Sequence, residues 1–155
     1  MSSANITRAE AADRATGIHV ASYDVDLDLT TGDTTFRSVT TIRFDAHPGT
    51  TATWLDLIAP TVVSVTLNGE QVAVDGYDGA RIPLSGLAAR NEVVVVADCA
   101  YMNTGEGLHR FVDPVDDEVY LYTQFETADA RRMYACFEQP DLKATFTLTV
   151  TGPAH

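Results

Sequence analysis

Clustered cysteines, basic charge and long apolar runs are all missing from this 155-residue chain. The two cysteines, Cys99 and Cys136, are far apart and in no metal-type spacing, so they read as reduced thiols. No apolar stretch approaches the ~20 residues that a membrane-spanning helix needs. The start, Met1-Ser2-Ser3-Ala4-Asn5, has no basic stretch followed by an apolar one; no secretory leader is expected, and the chain reads as cytoplasmic. Lys and Arg number 10 against 22 Asp and Glu, a formal net charge of −12. That field repels phosphate backbones and anionic headgroups, so neither nucleic acid nor a membrane surface is an expected partner, whereas a protonated amine is attracted.

The usual signatures of catalysis are absent as well. There is no G-x-S-x-G, no glycine-rich phosphate loop and no H-E-x-x-H zinc helix. His19, His47, His109 and His155 are scattered singly and read as surface or strand residues, since zinc sites gather their ligands. The acidic run Asp113-Pro114-Val115-Asp116-Asp117-Glu118 lacks the spacing and the glycine of a calcium loop, and reads as a solvated loop. No catalytic residue and no bound metal are expected in this chain.

What is present is alternation. Thr7-Arg8-Ala9-Glu10 has the form of a capping box and predicts a short helix that ends at Gly17. Tyr23, Val25, Leu27 and Leu29 then alternate with Asp24, Asp26 and Asp28, a half-buried strand with an acidic wet face. Phe36, Thr40, Ile42 and Phe44 carry the next strand. Asn68-Gly69, between Val63-Val65-Leu67 and Val72-Val74, predicts a tight hairpin, because both turn positions need positive φ. Further strands are expected around Arg81–Leu84, Val93–Ala97, Val119–Phe125 and Lys143–Val150, with a polar loop over Asn103–Asp117 and an irregular or helical stretch over Ala128–Phe137. Many short strands with frequent turns predict an all-β antiparallel β-sandwich, with residues 1–155 forming one domain.

One row of side chains stands out. If the strand continues through residue 126, alternation puts Tyr120, Tyr122, Gln124 and Glu126 on one face, with Gln124 and Glu126 ~7 Å apart. By alternation alone this reads first as a polar outer face. A carboxylate beside an amide on a tyrosine-bearing face is also able to receive a small cation.

The stretch Tyr122-Thr123-Gln124-Phe125-Glu126 leads through Arg131-Arg132 into Cys136-Phe137-Glu138-Gln139-Pro140 and Lys143-Ala144-Thr145-Phe146. This resembles a signature of aminopeptidase N-like zinc enzymes, in which T-Q-x-E runs through an arginine to a C-F-D-E-P-type turn and a K-A-x-F strand. Gly107-Leu108-His109-Arg110-Phe111 and Asp113-Pro114-Val115 are similar to the preceding loop of actinobacterial-type members, and Thr7–Ala11 and Ser22–Val25 to their opening. Glu138-Gln139 stands where the family usually has Asp-Glu, at a turn that looks structural.

The resemblance implies a saddle-shaped N-terminal domain, cut short at its C-terminal end and packed on a thermolysin-like catalytic domain that would carry the zinc. It implies that peptides with a free N-terminus are the substrates, that Glu126 binds their α-amine, and that Gln124 lines the pocket for the first side chain. The physical logic is that a fixed carboxylate detects an α-ammonium by a charge-assisted hydrogen bond. Thr151-Gly152-Pro153-Ala154-His155 follows directly on a strand, as at a cut boundary, so an unpaired edge and self-association of copies are expected. Two other readings stand beside this one. One is a free-standing β-sandwich module binding carbohydrate or peptide; the other is a glycoside hydrolase using Glu126 and Glu138, whose separation the sequence does not supply.

Overall fold

The structure, a computed structural model, describes residues 5–154; Met1–Ala4, which bear on the expected absence of a leader, and His155 lie outside the described residues. The capping box forms as expected: Thr7 Oγ1 accepts from the Glu10 N–H at 3.2 Å, and Glu10 Oε2 accepts from the Thr7 N–H at 2.8 Å. It opens helix α1 (Arg8–Gly17). Among the described residues ten strands follow: β1 (Ile18–Asp28), β2 (Thr35–Ala46), β3 (Ala52–Asp56), β4 (Thr61–Leu67), β5 (Glu70–Val72), β6 (Arg81–Ser85), β7 (Arg90–Ala100), β8 (Gly107–Val112), β9 (Val119–Gln124) and β10 (Thr145–Thr151).

Six strands build one sheet in the order β10-β1-β2-β7-β4-β5, and two ladders, β3-β6 and β8-β9, complete the molecule. The inner rows Tyr23-Val25-Leu27, Ile42-Phe44 and Val93-Val95-Ala97 meet Leu55, Ile82 and Leu84 of the β3-β6 ladder in one contiguous core. Asn68 (φ 54°) and Gly69 (φ 85°) close the β4-β5 hairpin in the conformation that their types predict. Both cysteines are free and buried.

Three expectations need correction. The sandwich is not wholly antiparallel: β10 runs parallel to β1, in the register Tyr23↔Phe146, Val25↔Leu148, Leu27↔Val150. Val63 is exposed, because an irregularity between Val62 and Ser64 takes it off the inner row that Val65 occupies. The stretch Asn103–Asp117 is not all loop, for it contains β8. That strand is held by cross-strand contacts, such as the stacked His109 and Tyr122 rings 4.6 Å apart, to which local composition is blind.

Candidate functional site at the end of strand β9

The β8-β9 ladder runs from Val112↔Val119 to Gly107↔Gln124 and stops there. At Gly107 the chain turns away with φ 61°, and a Cβ on this residue would lie 2.7 Å from Arg132 Cβ, so glycine is required by both backbone and space. With no partner beyond Gly107, the strand does not continue through residue 126. Tyr120, Tyr122 and Gln124 share a face, as expected. Glu126 lies past the end of the strand, in a turn. What joins it to Gln124 is a hydrogen bond: the Glu126 N–H donates to Gln124 Oε1 at 3.2 Å. Both residues are exposed, and the half-buried Phe125 stands between them. The Glu126 carboxylate has no ion-pair partner among the described residues, so it is open to a cation from outside.

The surroundings brace this segment. The Asp129 N–H donates to the Phe125 carbonyl at 3.1 Å and closes the turn. Arg132 bridges Asp129 Oδ1 at 2.8 Å and Glu106 Oε2 at 3.3 Å, tying the turn to the loop before β8. On the hairpin face, His109 Nδ1 accepts the Gly105 N–H at 3.0 Å, which leaves the proton of the neutral ring on Nε2. The Tyr120 hydroxyl donates to Asp116 Oδ2 at 3.0 Å, and that bond pushes the phenol pKa up.

Two alternatives lose ground on geometry. Asp113 Oδ1 and Asp116 Oδ1 accept the N–H groups of Val115 and Glu118, so these carboxylates shape the β8-β9 loop. Glu138 is half-buried, accepts the Arg131 N–H at 2.8 Å, and has its carboxyl pKa raised by burial, an environment unlike that of exposed Glu126. Among the described residues no three His, Cys, Asp or Glu side chains converge as a metal site.

A second cluster, which the sequence pattern does not mark, lies beneath the Cys136–Pro140 turn. Buried Arg14 of α1 pairs with buried Asp56 at 2.9 Å, and its Nε donates to Gln139 Oε1 at 2.9 Å. Asp56 Oδ2 also accepts the Glu138 N–H at 3.0 Å, and the backbones of Asp56 and Cys136 exchange both bonds. The guanidinium lies 4.6 Å from the Trp54 ring. Gln139 Nε2 donates to the Ala11 carbonyl at 2.9 Å, a bond that a glutamate carboxylate cannot make. The Glu138-Gln139 departure thus has a structural use, since the amide binds arginine and helix backbone at once. The available signal was a single acid, Asp56, inside the apolar run Leu55–Ile58.

A six-stranded sheet covered by short ladders, with an exposed glutamine and glutamate past the end of the β8-β9 hairpin, defines a β-sandwich domain that presents a polar site at one rim. Residues 19–155 match the peptidase M1 N-terminal domain, and the chain belongs to that family. It is 59% identical over 157 residues to aminopeptidase N of Streptomyces lividans, covering 99% of this chain and 18% of that protein. Aminopeptidase N of Lactobacillus delbrueckii subsp. lactis is 27% identical over 143 residues, covering 88% of this chain and 16% of that protein. The chain therefore spans less than a fifth of the length of either relative. Native yeast LTA4 hydrolase superposes with a TM-score of 0.72 at 17% identity, covering 90% of this chain and 23% of that one. Legionella pneumophila aminopeptidase A, in complex with aspartic acid, gives 0.69 at 16% identity, covering 86% and 16%. At these identities the likeness is one of fold. Nothing in the comparisons favours a free-standing carbohydrate- or peptide-binding module.

Proposed function

We propose that this chain is the substrate-pocket domain of a cytoplasmic zinc aminopeptidase that removes N-terminal residues from peptides. In this reading Glu126 holds the α-ammonium of the substrate and Gln124 lines the pocket for its first side chain. The observation that carries the reading is the exposed Glu126 carboxylate, without an ion-pair partner among the described residues and tied through its N–H to Gln124, in a chain 59% identical to an aminopeptidase N. A net charge of −12 favours approach of a cationic N-terminus. The described residues hold no ligand set that fits zinc, so the reading assigns this chain recognition of the amine and none of the bond-breaking chemistry. The partners are the peptide and a catalytic domain of the same protein. The outer edge of β10 gives a route for copies of the chain to pair.

The test is Glu126→Ala in the full-length protein. Losing a charged acceptor costs about 1.5–3 kcal/mol. That corresponds to a roughly ten- to hundredfold fall in kcat/KM for substrates with a free amine, with little change for N-acetylated ones. Glu126→Gln falls less, and metal content is unchanged in both variants. Near-normal kcat/KM together with continued rejection of acetylated substrates moves amine recognition to another residue.

A further inference from the structure

If Glu126 is to count residues from a peptide's end, it must be held still, and its own side chain does not do this. The carboxylate has no ion-pair partner among the described residues, and the β8-β9 ladder has already ended at Gln124. Phe125 is the one residue of the three that is not fully exposed. Its ring meets Tyr134 edge to face, with centroids 6.1 Å apart at 86°. Tyr134 in turn meets Phe146 at 6.2 Å and Tyr23 at 6.3 Å. Tyr23 stacks on Phe146 at 4.6 Å, and its hydroxyl accepts the buried Phe137 N–H at 3.0 Å. A continuous line of rings therefore leads from the core of β1 to the residue between Gln124 and Glu126. The Arg132 bridge grips the turn further along, at Asp129, and the Glu126 N–H bond to Gln124 joins two exposed residues, so what ties the pair to the core is the aromatic contact.

We propose that Tyr134 is a positioning residue for amine recognition, acting through Phe125 to fix Gln124 and Glu126. This rests on the assignment of Glu126 to the substrate amine. The role belongs to the ring and not to the hydroxyl, which makes no hydrogen bond among the described residues. Loss of the ring lets the segment move, which lowers the fraction of molecules with the carboxylate in place and weakens only those substrates that use it.

The experiment measures kcat/KM of the full-length enzyme on an aminoacyl amide and on its N-acetylated counterpart, for Tyr134→Leu, Phe125→Leu, the double variant and Tyr134→Phe. Edge-to-face pairs have strengths that correspond to roughly a three- to tenfold change, and the free-to-acetylated ratio is expected to fall by that factor in each leucine variant. Tyr134→Phe is expected to stay within about twofold of the native ratio, and the double variant to lose little more than the larger single loss. In a Glu126→Ala background, Tyr134→Leu is expected to leave the ratio where Glu126→Ala alone put it. An equal fall for both substrates, an unchanged ratio, or a further fall in that background overturns the proposal. Phe125→Leu tests the same contact from its exposed side if Tyr134→Leu does not fold. If Glu126→Ala alone leaves the ratio unchanged, the assignment of Glu126 fails and this inference falls with it; if Glu126→Ala acts and the leucine variants do not, only this inference fails.

Discussion

Asp56→Asn keeps the shape of the side chain, removes its charge and turns one of its two accepting oxygens into a donor, which makes it a probe of the cluster under the Cys136–Pro140 turn. Asp56 accepts from Arg14 at 2.9 Å and from the Glu138 N–H at 3.0 Å, and the two side chains of the ion pair are 1% and 4% exposed. The substitution leaves the Arg14 guanidinium with a neutral acceptor, Gln139 Oε1, and the face of Trp54. Breaking a buried pair from one side costs about 3–5 kcal/mol, because an uncompensated charge remains out of water. For a domain of this size each kcal/mol moves the midpoint by about 2–4 °C, so Tm should drop by roughly 6–20 °C. Replacing both partners, Arg14→Met with Asp56→Leu, should recover part of this. A deficit of about 1–3 kcal/mol should remain, since the Glu138 N–H loses its acceptor. Arg43→Ala, which opens the half-exposed pairs with Asp24 and Glu92, should cost far less, since solvent screens those pairs. Urea unfolding and calorimetry on all three variants decide the matter. If Asp56→Asn costs no more than Arg43→Ala, or if the double replacement is as unstable as the single one, the buried pair is not what holds α1 and the turn to the sheet.

The capping box gives a pH signature. Arg81, by hydrogen bond, and then Thr7 hold the Glu10 carboxyl down at about 2, below its ordinary 4.5, so its contribution is present above pH 4.5 and is lost as pH falls toward 2. Protection of the Ala11 amide from hydrogen exchange, relative to its intrinsic rate at each pH, should fall over that window, and Glu10→Gln should remove that fall; an unchanged protection profile in the variant assigns it to another group. The outer edge of β10 carries Phe146, Leu148 and Val150, each about half exposed, and should drive concentration-dependent self-association of the 155-residue chain. Sedimentation should show this, and Leu148→Lys should suppress it; a monodisperse monomer at high concentration would contradict the expectation.

Where contacts are local, the sequence was legible. The capping box couples residues three apart, and Asn68-Gly69 joins strands that touch at once, so residue type alone specifies both. Strand β1 was readable because one row of its side chains is dry and the other is wet. Contacts between distant residues were not readable. Strand β8 depends on cross-strand partners in β9 across an intervening loop, and the parallel partner of β1 comes from more than a hundred residues further along. Arg14, Asp56 and Gln139 come from three separate stretches of the chain, and a buried charge has no periodic signature. At the candidate site the residue types were legible, but the end of the strand was not. The strand stops at its last partner, Gly107, whose φ of 61° and lack of room for a Cβ beside Arg132 require glycine, and that steric fact sits outside the T-Q-x-E stretch.

The same steric fact bears on how Glu126 is presented. On a continued strand, Gln124 and Glu126 would stand side by side, and their backbone amides would be committed to a ladder. Here the strand ends one residue after Thr123, and the Glu126 N–H turns back to the Gln124 side chain. The Oε1 of the Gln124 amide is thereby engaged by the Glu126 N–H, which leaves its Nε2 to donate outward. Phe125 points into the ring cluster, away from the exposed pair. The core that defines the fold lies under β1, β2, β7, β3 and β6, whereas Gln124 and Glu126 contribute nothing to it. On the proposed reading, substitutions at these two positions should change recognition at little cost in stability, while Tyr134, joined to both the core and Phe125, should couple the two properties.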